Sequence, residues 1–151
     1  MVRRVVTGDA PDGTAIVLSD EELPLDDAPV ASIWSTESPP RVPVHEVGGD
    51  IDAWYPQAGG VRVVMFTVPP SGAPDGKWSE ALEDDGFHAT DTVEAIVVVH
   101  CEVWVELDNG VEVQLGPGDV LVQNGTRHRW LNHGTESPLC AAFMVGAHRD
   151  A

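Results

Sequence analysis

Basic residues are scarce in this chain of 151 residues: Lys77 is the one lysine among eight bases, which stand against 25 acids for a formal charge of −17. A surface this acidic repels a phosphate backbone or an anionic membrane, so neither nucleic acid nor membrane is expected as a partner. Long hydrophobic runs are missing too. Nothing approaches the roughly 18 apolar residues of a membrane span, and the two arginines of MVRRVVTGDAPDG lead into no apolar segment of signal-peptide length. The expected location is the cytoplasm. Cysteine is nearly absent: Cys101 and Cys140 lie far apart, so the pair is read as reduced and buried ahead of a disulfide, and the spacing does not suggest zinc. The chain has no G-x-S-x-G, no phosphate loop and no G-x-G-x-x-G, which removes support for serine-nucleophile and nucleotide chemistry.

What is present is turn chemistry. Fifteen glycines and 12 prolines, with 42% hydrophobic and 22% charged residues, suit a soluble all-β domain better than a helical bundle. A chain of this length is about one domain and needs no staple to fold.

The texture changes at Val61. Residues 1–60 mix short apolar runs (RRVV, TAIVL, VASIW) with acidic and proline-rich stretches, and are read as an arm of edge strands and loops packed on a later core. The acidic stretch from Ser19 to Asp27 is read as a solvated face. Residues 61–147 are read as the core, and 148–151 as a tail. VRVVMFTV is a strand-like run stopped by Pro69-Pro70, and a helical turn is expected around Trp78 to Leu82. In CEVWVELD, alternation puts Val103, Val105 and Leu107 on one face and Trp104 on the other. Asn109-Gly110 is the strongest hairpin signal, and Gly116-Pro117-Gly118-Asp119 a second tight turn. Short antiparallel strands joined by glycine turns point to a small barrel or sandwich.

Two stretches carry chemistry. In GFHATDTVEA, an extended strand would put His88, Thr90, Thr92 and Glu94 on one face. In RHRWLN, His128, Trp130 and Asn132 share a face in the same way. Each residue alone reads more readily as a half-buried strand residue; together, His88, Glu94 and His128 make a two-histidine, one-carboxylate set. Such a set suits Fe(II) with open coordination positions first, and also accepts Zn, Mn, Ni or Co.

With GPGDVLVQNGTRHRWLN in view, residues 61–147 resemble a small single-domain cupin. Gly118, Gly125, His128 and Asn132 match the second cupin motif in order, with Gln123 at the proline position. His88 and Glu94 match the first motif, while Thr90 stands at the second histidine, Cys101 at the closing glycine and Leu82 at the opening glycine. The resemblance implies a double-stranded β-helix barrel, a divalent metal on His88, Glu94 and His128, and a homodimer. It implies an enzyme acting on a small organic molecule, of dioxygenase, isomerase, decarboxylase or lyase type, with secondary metabolism a plausible setting. Glu94, His128 and Thr90 would carry the chemistry, and Thr90, Trp130 and Asn132 would line the substrate. Cys101 in the glycine position is read as a small buried apolar residue. Two further readings stand beside this one. A metal-free isomerase or cyclase would use His88 or His128 as general base and Glu94 as partner acid, which the Thr90 substitution favours. A non-catalytic ligand-binding module would need neither.

Overall fold

The computed structural model describes residues 1–25, 30–45, 47, 55–71 and 85–150. The helical turn expected at residues 78–82, the Leu82 position and the end of the acidic stretch lie outside these residues. Ten strands follow one another: β1 (Val2–Asp9), β2 (Ala15–Leu23), β3 (Val30–Thr36), β4 (Val61–Thr67), β5 (Thr92–His100), β6 (Val103–Leu107), β7 (Glu112–Leu115), β8 (Val120–Asn124), β9 (His128–Leu131) and β10 (Leu139–Gly146).

Period-two alternation builds the barrel walls. In β4 (VRVVMFT), Arg62, Val64 and Phe66 are buried and their neighbours half-buried; in β5, Thr92, Glu94, Ile96 and Val98 turn inward. The inward residues of a five-stranded sheet (β3-β4-β10-β5-β8) meet those of a three-stranded sheet (β7-β6-β9) in one core, where Ile96, Val98, Cys140 and Ala142 pack with Val103 and Val105. Between β4 and β10 the chain passes repeatedly from one sheet to the other, and β10 returns to lie between β4 and β5. A bridge between His88 and His128 sets the chain ahead of β5 beside β9, so this layer runs His88, β9, β6, β7. With β3 an added edge strand, the four positions left in each layer, nested in this order, are the double-stranded β-helix of the cupin type.

Turns fall where the sequence demands them. Gly110 takes φ 74° in the β6–β7 hairpin, a left-handed conformation that asparagine-glycine turns require. Gly146 ends β10 against the segment before β4: its N–H donates to Gly60 O at 2.9 Å, its carbonyl accepts Gly59 N–H at 2.9 Å, and a Cβ there would stand 1.9 Å from Gln57 O. Only glycine permits this approach, and it fixes the 55–60 segment over one end of the barrel.

The arm divides into two parts. β3 pairs with β4 and extends the large sheet, whereas β1 and β2 form a separate two-stranded sheet carrying ion pairs such as Arg3–Asp20. Cys101 departs from its expected burial. It sits at the β5–β6 turn, half-exposed, at φ 59°, with its thiol 3.4 Å from Glu136 Oε2. The turn imposes a left-handed residue there, and such a position faces solvent. Cys140 is buried in the core, where desolvation pushes its thiol up to about 12. Trp104, on the outer face of β6, packs its ring against His133 with centroids 4.9 Å apart.

Candidate functional site

The polar residues of GFHATDTVEA do not lie on one strand. His88 belongs to the small sheet through its bridge, with both backbone hydrogen bonds to His128 at 2.9 Å, and the chain then crosses to the large sheet before β5 begins at Thr92. Thr90 therefore lies in the crossing, its carbonyl accepting from Arg149 Nη2 at 2.7 Å. The crossing is what brings His88 back toward Glu94 despite their six-residue separation.

Glu94 is held from behind. Its Oε1 accepts the Thr90 hydroxyl at 2.9 Å and the Thr92 hydroxyl at 2.6 Å, and the two hydroxyls are 2.6 Å apart. Thr90, at the position where a ligand histidine was expected, instead orients the carboxylate.

The imidazoles of His88 and His128 stack at a tilt of 52° with centroids 4.4 Å apart. His128 is 2% exposed, and its Nδ1 donates to Thr126 O at 2.7 Å, which leaves the lone pair on Nε2. Burial lowers its pKa, against the raising influence of the Thr126 carbonyl and the Glu94 charge, so the ring is neutral at physiological pH.

A pocket of about 40 Å³ opens in front of these groups. His88, Glu94, Tyr55 and Trp130 supply its polar lining; Val30, Val64, Phe66, Ile96, Ala142 and Met144 make the rest apolar. His128 is not part of this lining and stands behind His88. Trp130 closes one wall, its ring 5.7 Å from that of Phe66. Tyr55 enters from the 55–60 segment, and burial, helped by the Glu94 charge, pushes its phenol up to about 12, so it stays protonated and can donate.

Asn132, expected to touch substrate, is committed elsewhere. Its Nδ2 donates to Val68 O and Glu136 O, both at 2.9 Å, and its Oδ1 accepts Gly134 N–H at 2.8 Å. With every polar atom spent on backbone, it staples the β9–β10 loop, and it is absent from the pocket lining.

The donor set also bears on a metal. Bonds of about 2.0–2.2 Å place two ligand atoms no more than about 4.4 Å apart on one ion. Among the described residues, the one trio whose donor atoms all lie within 4.8 Å of one another is His100, Cys101 and Glu136, at the surface; His88, Glu94 and His128 form no such group. As placed, the barrel trio does not fit a single ion.

Two inward residues went unremarked in the sequence, and a third was noted only for its place in a motif. Alternation through VRVVMFT puts Arg62 on the face of Val64 and Phe66, and that signal was available. Gln123, noted for replacing a motif proline, is buried opposite Glu94. Tyr55 carried no signal, because its position depends on the Gly146 clip. In register, Ser35, Arg62, Met144, Glu94 and Gln123 form one continuous row across the large sheet, all five buried.

No protein-family model matches this chain, and no curated protein matches it. Solved structures do resemble it. A double-stranded β-helix domain protein from Klebsiella pneumoniae is 18% identical, with a TM-score of 0.44 over 58% of this chain and 69% of its own. A cupin domain from Bordetella pertussis is 20% identical, with a TM-score of 0.42 over 58% of this chain and 82% of its own. A Salmonella typhimurium protein named for ethanolamine utilization is 9% identical, with a TM-score of 0.48 over 98% of both chains.

Proposed function

We propose that this barrel is a metal-independent enzyme that moves a proton on a small, mainly apolar molecule held in the pocket. His88 and Glu94 touch the substrate, one as base and the other as acid; His128 backs His88, and Trp130 packs on the substrate body. The observation that carries this reading is the clamping of Glu94 by Thr90 and Thr92 beside an imidazole in an apolar pocket. A carboxylate and an imidazole fixed in a low-dielectric site are suited to exchange a proton with a bound molecule, and Tyr55 is placed to donate a hydrogen bond to it.

The second reading is a metal centre, favoured by the His128 tautomer, which presents Nε2 as a ligand would. His88, Glu94 and His128 would hold the ion, Fe(II) foremost and Zn, Mn, Ni or Co after it. Their donor spacing counts against it.

Elemental mass spectrometry decides between the two. The protein is purified without chelator or affinity metal, offered each of these ions, and carried on a Cys101→Ser background that silences the surface trio. We expect far less than one ion per chain. One ion per chain that disappears on adding His128→Ala would overturn the proposal in favour of the metal centre.

A further inference from the structure

We propose that His100, Cys101 and Glu136 form a zinc site on the surface of the barrel, separate from the pocket. One Zn(II) takes the imidazole, the thiolate and a carboxylate oxygen, and leaves a fourth position to water.

Backbone brings these side chains together from two turns. His100 ends β5 opposite Leu139, the first residue of β10. Glu136 lies just before that partner in the β9–β10 loop, where its carbonyl accepts from Asn132 Nδ2 at 2.9 Å and the following Pro138 is buried. Cys101 adjoins His100, and neighbouring residues of a strand ordinarily point to opposite faces. The left-handed backbone at Cys101, φ 59°, breaks that alternation, and both side chains reach the same carboxylate. Cys101 Sγ stands 3.4 Å from Glu136 Oε2, and His100 Nε2 stands 4.0 Å from the same oxygen.

Zinc bonds of about 2.0–2.3 Å at tetrahedral angles set neighbouring donor atoms about 3.3–3.7 Å apart. The thiol and the carboxylate already meet that spacing. The imidazole, within 4.8 Å of both partners, has to close by roughly 1 Å, which an exposed side chain does by turning about its own χ angles.

The donor set also selects the ion. Magnesium and calcium prefer oxygen ligands throughout, whereas a thiolate, an imidazole and a carboxylate with one open position suit zinc. On binding, an S–Zn bond replaces the S–H bond and the proton passes to solvent. Desolvation, followed by the carboxylates of Glu136 and Glu102, holds this thiol above its ordinary value, so the metal has a proton to displace at neutral pH. That proton and the exposure of His100 and Glu136 make the hold weak and reversible, while the net charge of −17 draws cations to the surface as a whole. Once bound, the ion ties the β5–β6 turn to the β9–β10 loop.

The test is zinc chloride titrated by calorimetry into the full chain, reduced and stripped of metal. Magnesium chloride controls for attraction by net charge alone, and Co(II) serves as a spectroscopic stand-in for zinc. Wild type should take one zinc per chain and, with cobalt, show the near-ultraviolet sulfur-to-cobalt absorption that reports a metal–thiolate bond. Cys101→Ser should lose that absorption, and Cys101→Ser, His100→Ala and Glu136→Gln should each weaken zinc binding at least about tenfold. All three positions are at the surface, so the variants keep the fold, which circular dichroism checks. No uptake by wild type, one ion per two chains, uptake that magnesium matches, or an affinity unchanged in any of the three variants would each overturn the proposal while leaving the pocket reading intact. Zinc that stays on Cys101→Ser and leaves only when His128→Ala is added would overturn both.

Discussion

β5 presents opposite situations at its two ends. Near its start, Thr92 and Glu94 are buried, and the carboxylate is fixed by two hydroxyls, but His88, Glu94 and His128 do not converge on one point. At its finish, about 20 Å away at 3.3 Å per residue, His100 and the neighbouring Cys101 meet Glu136 with their donor atoms close together, on side chains exposed by 70% at His100 and 76% at Glu136. The exposed trio is compact and unsupported; the buried set is supported and spread. Proximity of donors and preparation of a site are therefore separate properties in this molecule. Preparation comes from burial and from hydrogen bonds behind the reacting group.

Substitutions at the two ends should pull this contrast apart. The largest effect is expected at the buried end. Thr90→Val with Thr92→Val removes both donors to Glu94 Oε1 in isosteric fashion and leaves a buried carboxylate undersatisfied. We expect a loss of about 2–3 kcal/mol in urea unfolding, with single-variant costs that do not sum. A smaller effect attaches to His128. Its folded pKa is lowered, so its contribution to stability is full above roughly 6.5, the unfolded value, and is lost as pH falls below that toward the folded pKa. Unfolding followed from pH 8 to pH 5 should show this acid slope, at most about 1.4 kcal/mol per pH unit, and His128→Asn should flatten it. A slope unchanged in His128→Asn would assign it to other groups. The smallest effect is expected at the exposed end, with the opposite sign. Cys101→Gly relieves a left-handed residue and gives up only a surface thiol contact, so the urea midpoint should rise, by the equivalent of about 1 kcal/mol or less in unfolding free energy. A fall in the midpoint would mean that the Cys101–Glu136 contact outweighs the strain.

Much of the barrel is written in short-range signals. Asn109-Gly110 fixes one hairpin, the alternation of CEVWVELD puts Val103 and Val105 in the core, and Cys101 at a glycine position turns out to occupy a glycine conformation at φ 59°. The site was legible as a set of residue types, since His88, Glu94 and Trp130 all reach the pocket. Their roles were less legible. Thr90 holds a carboxylate because the chain crosses between sheets at residues 89–91, which strand periodicity alone does not reveal. Asn132 shares the sequence period of His128 but finds three backbone partners, two in the loop that follows and one at Val68 beyond β4. Tyr55 reaches the pocket only through the clip at Gly146, a contact between segments about ninety residues apart. In each case the deciding contact was made by backbone, and backbone contacts leave no mark on side-chain pattern.

The insertion of β10 between β4 and β5 also sets the order in which the site can come into being. Met144 of β10 separates Arg62 from Glu94 in the polar row, and Gly146 clips the segment that carries Tyr55. During synthesis, every other strand of the barrel emerges first, leaving a gap in the large sheet with open edges on both β4 and β5. Until residues 139–146 fill it, no pocket exists, and the two open edges offer pairing to any extended segment that arrives sooner. The strand that completes the site is thus also the one that ends the nascent chain's exposure to mispairing.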